Sequence, residues 1–363
     1  MNIMVRGINN LKNREELQNM QDLRAFSYEE MQKLILSLGE KSYRAKQIYT
    51  WVSKGASKID EITNLSKHLR EKLNNIVFLD NVKIIERLES NDQTIKFLNK
   101  LNGQNIVESV FMSYKHGNSI CISTQAGCKM KCSFCASAIN GFDRNLTSGE
   151  MMGQIYEAQN ITGKRINNVV LMGSGEPLDN FEETLKFIRL VNEKGGLNIS
   201  QRNITLSTCG IIPKIYKLAD EYLKITLAIS LHNPFEGERE RIMPITRKYP
   251  LDELFKAVDY YIEKTRRRVT FEYALIKETN DSTAHAEKLG EKLKGKLVHV
   301  NLIPMNEVIE NNYCPSDSKR INDFKRLLIY KYKINTTIRK ELGSDINAAC
   351  GQLRNKHIKT AHT

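Results

Sequence analysis

The sequence predicts an α/β protein in which a small helical module precedes a parallel β-sheet assembled from βα units. Three observations carry this. Beyond residue 118, apolar runs rich in β-branched residues alternate with longer stretches of helical periodicity, the pattern of strands covered by crossover helices. Two of those helical stretches open with capping-box spacing, Thr147 with Glu150 and Asn180 with Glu183. The first 80 residues, by contrast, hold only helical patterns.

Ser27 with Glu30 reads as another capping box, and Met31, Leu34, Ile35 and Leu38 follow at helical spacing until Gly39 stops the run. Ala45, Ile48, Tyr49 and Val52 repeat the pattern before Gly55, and Leu65, Leu69 and Leu73 mark a third helix. Strand-like stretches over 82–88, 94–98 and 106–112 are expected to form a short antiparallel connection. Six strands of the main sheet are then expected at 119–124, 168–172, 204–208, 225–231, 269–276 and 298–305. Six units fall short of the eight that close a full barrel, so the pattern alone leaves a partial barrel and an open doubly wound sheet both available. In either arrangement ligands gather at the carboxyl ends of the strands. The expected divisions are a helical accessory domain at 1–80, a β-rich connection at 81–118, the βα core at 119–353 and a tail at 354–363.

At 363 residues, with 40% hydrophobic and 27% charged, the chain is expected to fold throughout as one large domain or as a core with an accessory module. Residues 1–20 lack the continuous apolar stretch of an export signal, and no run approaches membrane-spanning length, which points to the cytoplasm and to no membrane partner. In that reducing compartment seven cysteines serve metal binding or catalysis more readily than structural disulfides. A net charge of +13 favours a polyanion, nucleic acid being the natural one, although a solvated basic surface accounts for the charge equally well. Local clusters are Lys264 with Arg266, Arg267 and Arg268, and Lys325, Arg326, Lys331, Lys333, Arg339 and Lys340.

Cys128, Cys132 and Cys135 form a C-x3-C-x2-C group directly after the first strand of the βα region. Three thiolates on one short loop can hold three irons of a cubane cluster and leave the fourth iron open. A structural zinc site wants four ligands in paired spacing, which this loop does not supply. Cys209 and Cys314 read as structural, and Met151 and Met152 as the buried face of a helix.

With Phe134 before its last cysteine, the loop resembles that of the radical S-adenosylmethionine superfamily. Further segments resemble its RlmN-type subfamily of dual-specificity 23S rRNA and tRNA adenine C2-methyltransferases, over nearly the whole chain. They are 121–135, 141–146, 173–178, 206–208, 230–232, 301–304 and 345–353. The resemblance implies a partial (β/α)6 TIM-like radical SAM barrel with an amino-terminal helical accessory domain that grips RNA. Its cofactors would be a [4Fe–4S] cluster on Cys128, Cys132 and Cys135 and two molecules of S-adenosyl-L-methionine per turnover. Cofactor contacts would come from Gly175, Glu176, Ser207, Ser230, Leu231, His232 and Asn306, all at predicted strand ends.

Carbon 2 of adenine has no lone pair to receive an electrophilic methyl group, so the chemistry calls for a radical route. By the resemblance, Cys350 takes a methyl group as a thiolate nucleophile. It then loses a hydrogen to the 5′-deoxyadenosyl radical and adds through carbon to the ring. Cys121 would release the RNA by attacking the sulfur of Cys350, closing a disulfide bond, and Glu108 would remove the proton from carbon 2. Without the resemblance Glu108 reads as a solvent-facing strand residue. The implied partners are 23S rRNA at adenine 2503 and tRNA at adenine 37, with an electron donor such as flavodoxin or ferredoxin and the enzyme a monomer.

Ser174 departs from the Met usual in the subfamily, while Gly175 and Glu176 beside it are intact. A sister family that methylates carbon 8 shares Glu108, Cys121, the cluster cysteines and Cys350; Pro177 and Ala126 favour carbon 2. A different class, an iron–sulfur RNA-binding protein or redox sensor, would give no reason for Cys350 in its 345–353 context.

Overall fold

The structure, a computed structural model, describes residues 20–79, 82–103, 105–115, 117–306 and 313–353. The stretches read for an export signal and a tail, 1–19 and 354–363, lie outside the described residues. Among the described residues no helix is long and apolar enough to cross a membrane.

The helical module starts at strand β1 (Gln21–Asp22) and continues through helices α1 (Tyr28–Ser37), α2 (Tyr43–Ser53) and α3 (Lys67–Asn74) to strand β2 (Val77–Phe78), which pairs with β1 in parallel. The expected capping box starts α1. The Ser27 hydroxyl accepts from the Glu30 N–H at 3.1 Å while the Glu30 carboxylate accepts from the Ser27 N–H at 2.7 Å. Leu23, Met31, Ile35, Ile48, Leu69 and Leu73 close a core separate from that of the barrel. Polar contacts dock the module on the barrel: Arg24 pairs with Glu157 at 2.9 Å, and Glu193 accepts from the Tyr28 N–H at 2.9 Å and the Tyr49 hydroxyl at 2.8 Å.

Strands β3 (Val82–Glu89), β4 (Ile95–Leu101) and β5 (Ile106–Tyr114) are not the short connection expected from the sequence. They form the antiparallel wing of the main sheet, because β5 pairs with β6 (Gly117–Cys121), Val110 facing Cys121. The reason is burial: β5 is buried at Val107, Val110 and Phe111 on one or other face, where a linking hairpin would have a wet side. Strands β7 (Gln125–Gly127) and β8 (Phe142–Asn145) form a separate ribbon that brackets the cysteine loop. Gly127 is obligatory there, since its φ is +74° and a Cβ would run into the carbonyl of Gly141.

From here α4 (Ser148–Thr162), β9 (Ile166–Leu171), α5 (Phe181–Asn192), β10 (Ile204–Thr208), α6 (Ile212–Asp220) and β11 (Thr226–Ser230) alternate. They are followed by α7 (Glu236–Ile242), α8 (Leu251–Thr265), β12 (Val269–Leu275), α9 (Thr283–Leu293), β13 (Val298–Pro304), α10 (Ser318–Tyr330) and β14 (Thr336–Ile338). The sheet runs β14-β13-β12-β11-β10-β9-β6-β5-β4-β3, parallel from β6 to β14. It does not close, and so it is the partial barrel rather than a full one. The six expected strands are β6 and β9 to β13; the seventh parallel strand, β14, is too short at Thr336–Ile338 to show as a periodic run.

The Thr147–Glu150 box forms as expected, but Asn180 caps nothing with its side chain. Its amide donates to the carbonyls of Thr124 at 2.9 Å and Leu146 at 2.7 Å, and Glu183 accepts instead from the Ser148 N–H at 2.6 Å. These bonds lock the starts of α4 and α5 to the strand leaving β6. Met151 and Met152 are buried in the core, as their spacing predicts.

Helix α9 meets α10 and the loop after it with no room at Gly290, where a Cβ would come within 2.3 Å of the Tyr332 ring. Gly290→Ala is therefore expected to lower unfolding stability by about 1–3 kcal/mol despite its better helix propensity, measured by urea denaturation; equal or higher stability would show that Tyr332 yields at no cost.

Candidate active site

The carboxyl ends of the parallel strands open on a cleft of roughly 970 Å³, counting the solvent space at its mouth. Cys128, Cys132 and Cys135 line one side, carried by the loop between β7 and β8. Opposite them stand Gly175 and Glu176 after β9, Ser207 of β10, Ser230 and His232 at the end of β11, and Asn306 after β13. A second chamber of roughly 560 Å³ is lined by Val110, Met112 and Tyr114 of β5 and by Cys121 of β6. Met172, Asn306, Arg339 and Cys350 border both chambers. Cys350 thus stands in the wall between the cysteine loop and Cys121.

Cys350 lies beyond the last strand, so side-chain and backbone bonds must hold it. The Ala136 N–H donates to the Gly351 carbonyl at 2.8 Å and the Ser137 hydroxyl to the Leu353 carbonyl at 2.9 Å. The Asn306 amide donates to the Cys350 carbonyl at 3.1 Å. On the far side, Asp345 accepts from the Ser90 hydroxyl at 2.6 Å, and Asp92 accepts from the Gly343 N–H at 3.0 Å.

All seven cysteines are free thiols, so the disulfide expected between Cys121 and Cys350 is not formed in this state. Burial pushes the thiols of Cys121 and Cys128 up to about 12, and those of Cys132 and Cys135 also upward. Thiols so placed become thiolates only beside a strong positive charge, which a metal centre supplies. Among the described residues no three His, Cys, Asp or Glu side chains converge closely enough to hold a single ion. Three cysteines on one loop suit a cluster whose irons each take one thiolate.

Two glycines shape the opposite rim. A Cβ at Gly173 would meet the Ile122 carbonyl, and Gly175, at φ +105°, leaves none of the space beside Gln125 that a Cβ needs. The Glu176 carboxylate is committed to the fold: it accepts from the Leu178 N–H at 3.0 Å and the Cys209 N–H at 2.8 Å, joining the ends of β9 and β10. Burial raises its pKa. Cys209 is buried in the core and also lines the cleft, whereas Cys314, read from the sequence as structural too, is exposed, its carbonyl accepting from the Lys277 N–H.

His232 receives the Ala274 N–H on Nδ1 at 2.9 Å, which leaves the proton on Nε2. Its ring meets Phe134 of the cysteine loop edge-on, centroids 4.9 Å apart. Burial, with the Arg239 guanidinium nearby, pushes its pKa down to about 3, so the ring is neutral at physiological pH. Asn306 Oδ1 and Glu272 Oε2 are buried without a hydrogen-bond partner, acceptors that a bound ligand bearing N–H or O–H groups would satisfy.

Three placements differ from the sequence reading. Leu231 is turned into the core rather than the cleft. Glu108 lines neither chamber; it lies one step along the same face of β5 from Val110, buried, and pairs with Lys96 at 3.3 Å. Arg339, grouped by charge with the surface cations, faces the cleft, because it follows directly on β14. The negative charge that Cys350 bears when ionised is the strongest influence raising the pKa of the Arg339 guanidinium, with Glu272 and Cys121 adding to it. The sequence missed Glu272 and Lys96 as well; the alternation along β12 and β4 was the only signal available.

A cysteine loop at the carboxyl mouth of a partial βα barrel, with cleft-lining groups at successive strand ends, defines a radical S-adenosylmethionine protein, and residues 122–289 match the Radical SAM superfamily. Residues 21–79 match the Ribosomal RNA large subunit methyltransferase N-terminal domain. The chain is 52% identical over 342 residues to the probable dual-specificity RNA methyltransferase RlmN of Clostridium tetani (strain Massachusetts / E88), covering 94% of this chain and 98% of that protein. With the protein of the same name from Alkaliphilus oremlandii (strain OhILAs) the identity is 51% over 339 residues, 93% of this chain and 98% of the relative. The crystal structure of a radical SAM methyltransferase from Sphaerobacter thermophilus superposes with a TM-score of 0.89 at 39% identity, covering 92% of this chain and 99% of that one. The chain belongs to the RlmN family.

The buried neutral His232 makes stability depend on pH. Its pKa in the fold, about 3, lies below the ordinary 6.5, so the stabilisation is complete above 6.5 and is lost as pH falls towards 3. Between pH 7 and pH 5 this group is expected to cost about 2 kcal/mol in urea unfolding, a share that His232→Gln removes; an unchanged slope in the variant would show that His232 titrates normally.

Proposed function

We propose that this chain methylates carbon 2 of adenine in RNA, at adenine 2503 of 23S rRNA and adenine 37 of tRNA, through a methylated Cys350. The observation that carries this reading is the position of Cys350, which borders both the chamber of the cluster cysteines and the chamber of Cys121. A thiol there reaches a cofactor on one side and a substrate base on the other. The RNA-methyltransferase names of relatives 51–52% identical support the substrate class.

Cys128, Cys132 and Cys135 would hold a [4Fe–4S] cluster and leave one iron open to S-adenosylmethionine. When bound, the cluster and two molecules of the sulfonium supply the methyl group, an electron that later returns to the cluster, and a 5′-deoxyadenosyl radical that abstracts hydrogen. Gly175, Ser207, Ser230, His232 and Asn306 would orient the sulfonium, with Glu176, whose carboxylate and backbone are both engaged in the fold, setting the shape of the rim beside it.

Cys350 attacks the first methyl group as a thiolate, beside the Arg339 guanidinium. After hydrogen is removed from that methyl and its carbon bonds to the ring, enzyme and RNA are one covalent adduct. Glu108 takes the proton from carbon 2. Cys121 then attacks the sulfur of Cys350: an S–S bond forms, the S–CH2 bond breaks, and its electron pair passes to the carbon, which takes up a proton to become the product methyl. The resulting disulfide is reduced before the next cycle. The enzyme works as a cytoplasmic monomer and draws electrons from a donor such as flavodoxin or ferredoxin.

Mass spectrometry of digested RNA from cells with and without the gene tests the product, with 2-methyladenosine expected to vanish on deletion and 8-methyladenosine absent from both. Cys350→Ala is expected to abolish methylation, and Cys121→Ala to leave enzyme trapped on RNA. Freely released methylated RNA from either variant would overturn these thiol roles.

A further inference from the structure

We propose that Lys96 is a positioning residue for this reaction, supplying the counter-charge to Glu108 and tying it to the segment that carries Cys350. The inference rests on the reading of Glu108 as the base and deepens it. Lys96 and Glu108 are diagonal neighbours on the antiparallel strands β4 and β5, where Lys96 faces Val110 and Leu98 faces Glu108. Nζ stands 3.3 Å from Oε1, and both side chains are only 7% exposed.

In such surroundings a carboxylate without a counter-charge gives up its ionisation, and a protonated carboxyl cannot accept the proton from carbon 2. An ammonium within van der Waals reach opposes that loss, because the attraction is screened far less here than in water. The transfer itself is simple to balance. The C–H bond at carbon 2 breaks with its electron pair staying in the ring, and an O–H bond forms on Glu108.

The ammonium makes a second bond, to the carbonyl of Asn347 at 3.1 Å. Asn347 precedes Cys350 by three residues and has a left-handed backbone, φ +51°, where the short turn Ser344–Ile346 ends. One cation therefore fixes the spacing between the base and the residue that carries the methyl group. A buried ammonium needs its remaining N–H groups satisfied, and here one of them is given to the segment that carries Cys350. Along the same face of β5, Val110 lines the chamber that holds Cys121 and Cys350, so the pair sits one step from the reacting sulfurs.

The test uses full-length enzyme with its cluster reconstituted anaerobically, given S-adenosylmethionine, a chemical reductant and an RNA fragment containing the target adenine. Methyl occupancy of Cys350, 5′-deoxyadenosine, covalently bound RNA and released product are followed for Lys96→Met, Lys96→Gln, Lys96→Arg and Glu108→Gln. Lys96→Met is expected to keep Cys350 methylation and first-turnover 5′-deoxyadenosine near wild type, while release of methylated RNA slows about tenfold or more and the adduct accumulates. Lys96→Arg, which keeps the charge, restores most of the release. Lys96→Gln keeps a donor for the Asn347 carbonyl without the charge, and serves in place of the Met variant should that one fail to load a cluster. Release at the wild-type rate from the neutral variants would overturn the proposal. So would loss of Cys350 methylation in step with release, which would assign Lys96 to folding of the segment alone. Normal release from Glu108→Gln would instead overturn the base reading on which the proposal stands.

Discussion

The site depends on one constraint: a sulfur close to the carboxyl end of the chain has to be held against a loop that follows the first parallel strand. Two buried hydrogen bonds do this, from the Ala136 N–H and the Ser137 hydroxyl to the carbonyls of Gly351 and Leu353. Each is worth only about 1 kcal/mol net, yet leaving either carbonyl unpaired in a buried place would cost more than the bond itself contributes. The segment has little secondary structure of its own, a short turn at Ser344–Ile346 and a second turn around Cys350 closed by the Gln352 N–H donating to the Ala349 carbonyl at 3.1 Å. Its position is therefore borrowed from the cysteine loop on one side and from the β3–β4 turn, through Asp345 and Asp92, on the other.

The barrel supplies the rest because it is open. A closed eight-stranded barrel packs its interior with side chains, whereas this sheet ends at β14 and β3 and leaves its mouth free. Its antiparallel wing is consequently part of the chemistry: β5 and β6 carry the wall on which Cys121 faces Val110, and β4 brings Lys96 to Glu108. Polar groups on the inward faces, Glu176 and Glu272 among them, survive burial by accepting backbone and amide N–H groups.

The sequence was informative where function is local. A loop of closely spaced cysteines and single residues at strand ends need only the order of elements to be placed, and Gly175, Ser207, Ser230, His232 and Asn306 line one cleft with the three cysteines. It was uninformative where position depends on pairing between distant segments. The strands at 82–114 carry ordinary alternation, and nothing in that pattern says that β5 joins the parallel strands instead of turning away. Arg339 and Leu231 show the same limit at the level of one side chain, since charge assigned the first to the surface and family likeness the second to the cleft, while strand register turned each the other way.

The most direct measurement follows the hydrogens of the transferred methyl. Enzyme carrying a trideuterated methyl group on Cys350, prepared from labelled S-adenosylmethionine, is given unlabelled cofactor, reductant and RNA for one turnover. If Cys350 carries the methyl as described, the modified adenine receives a carbon with two deuteriums and one solvent hydrogen, and 5′-deoxyadenosine gains the third deuterium. A methyl that arrives with no deuterium would contradict the passage through Cys350, and one that keeps all three would contradict the removal of a hydrogen from it there.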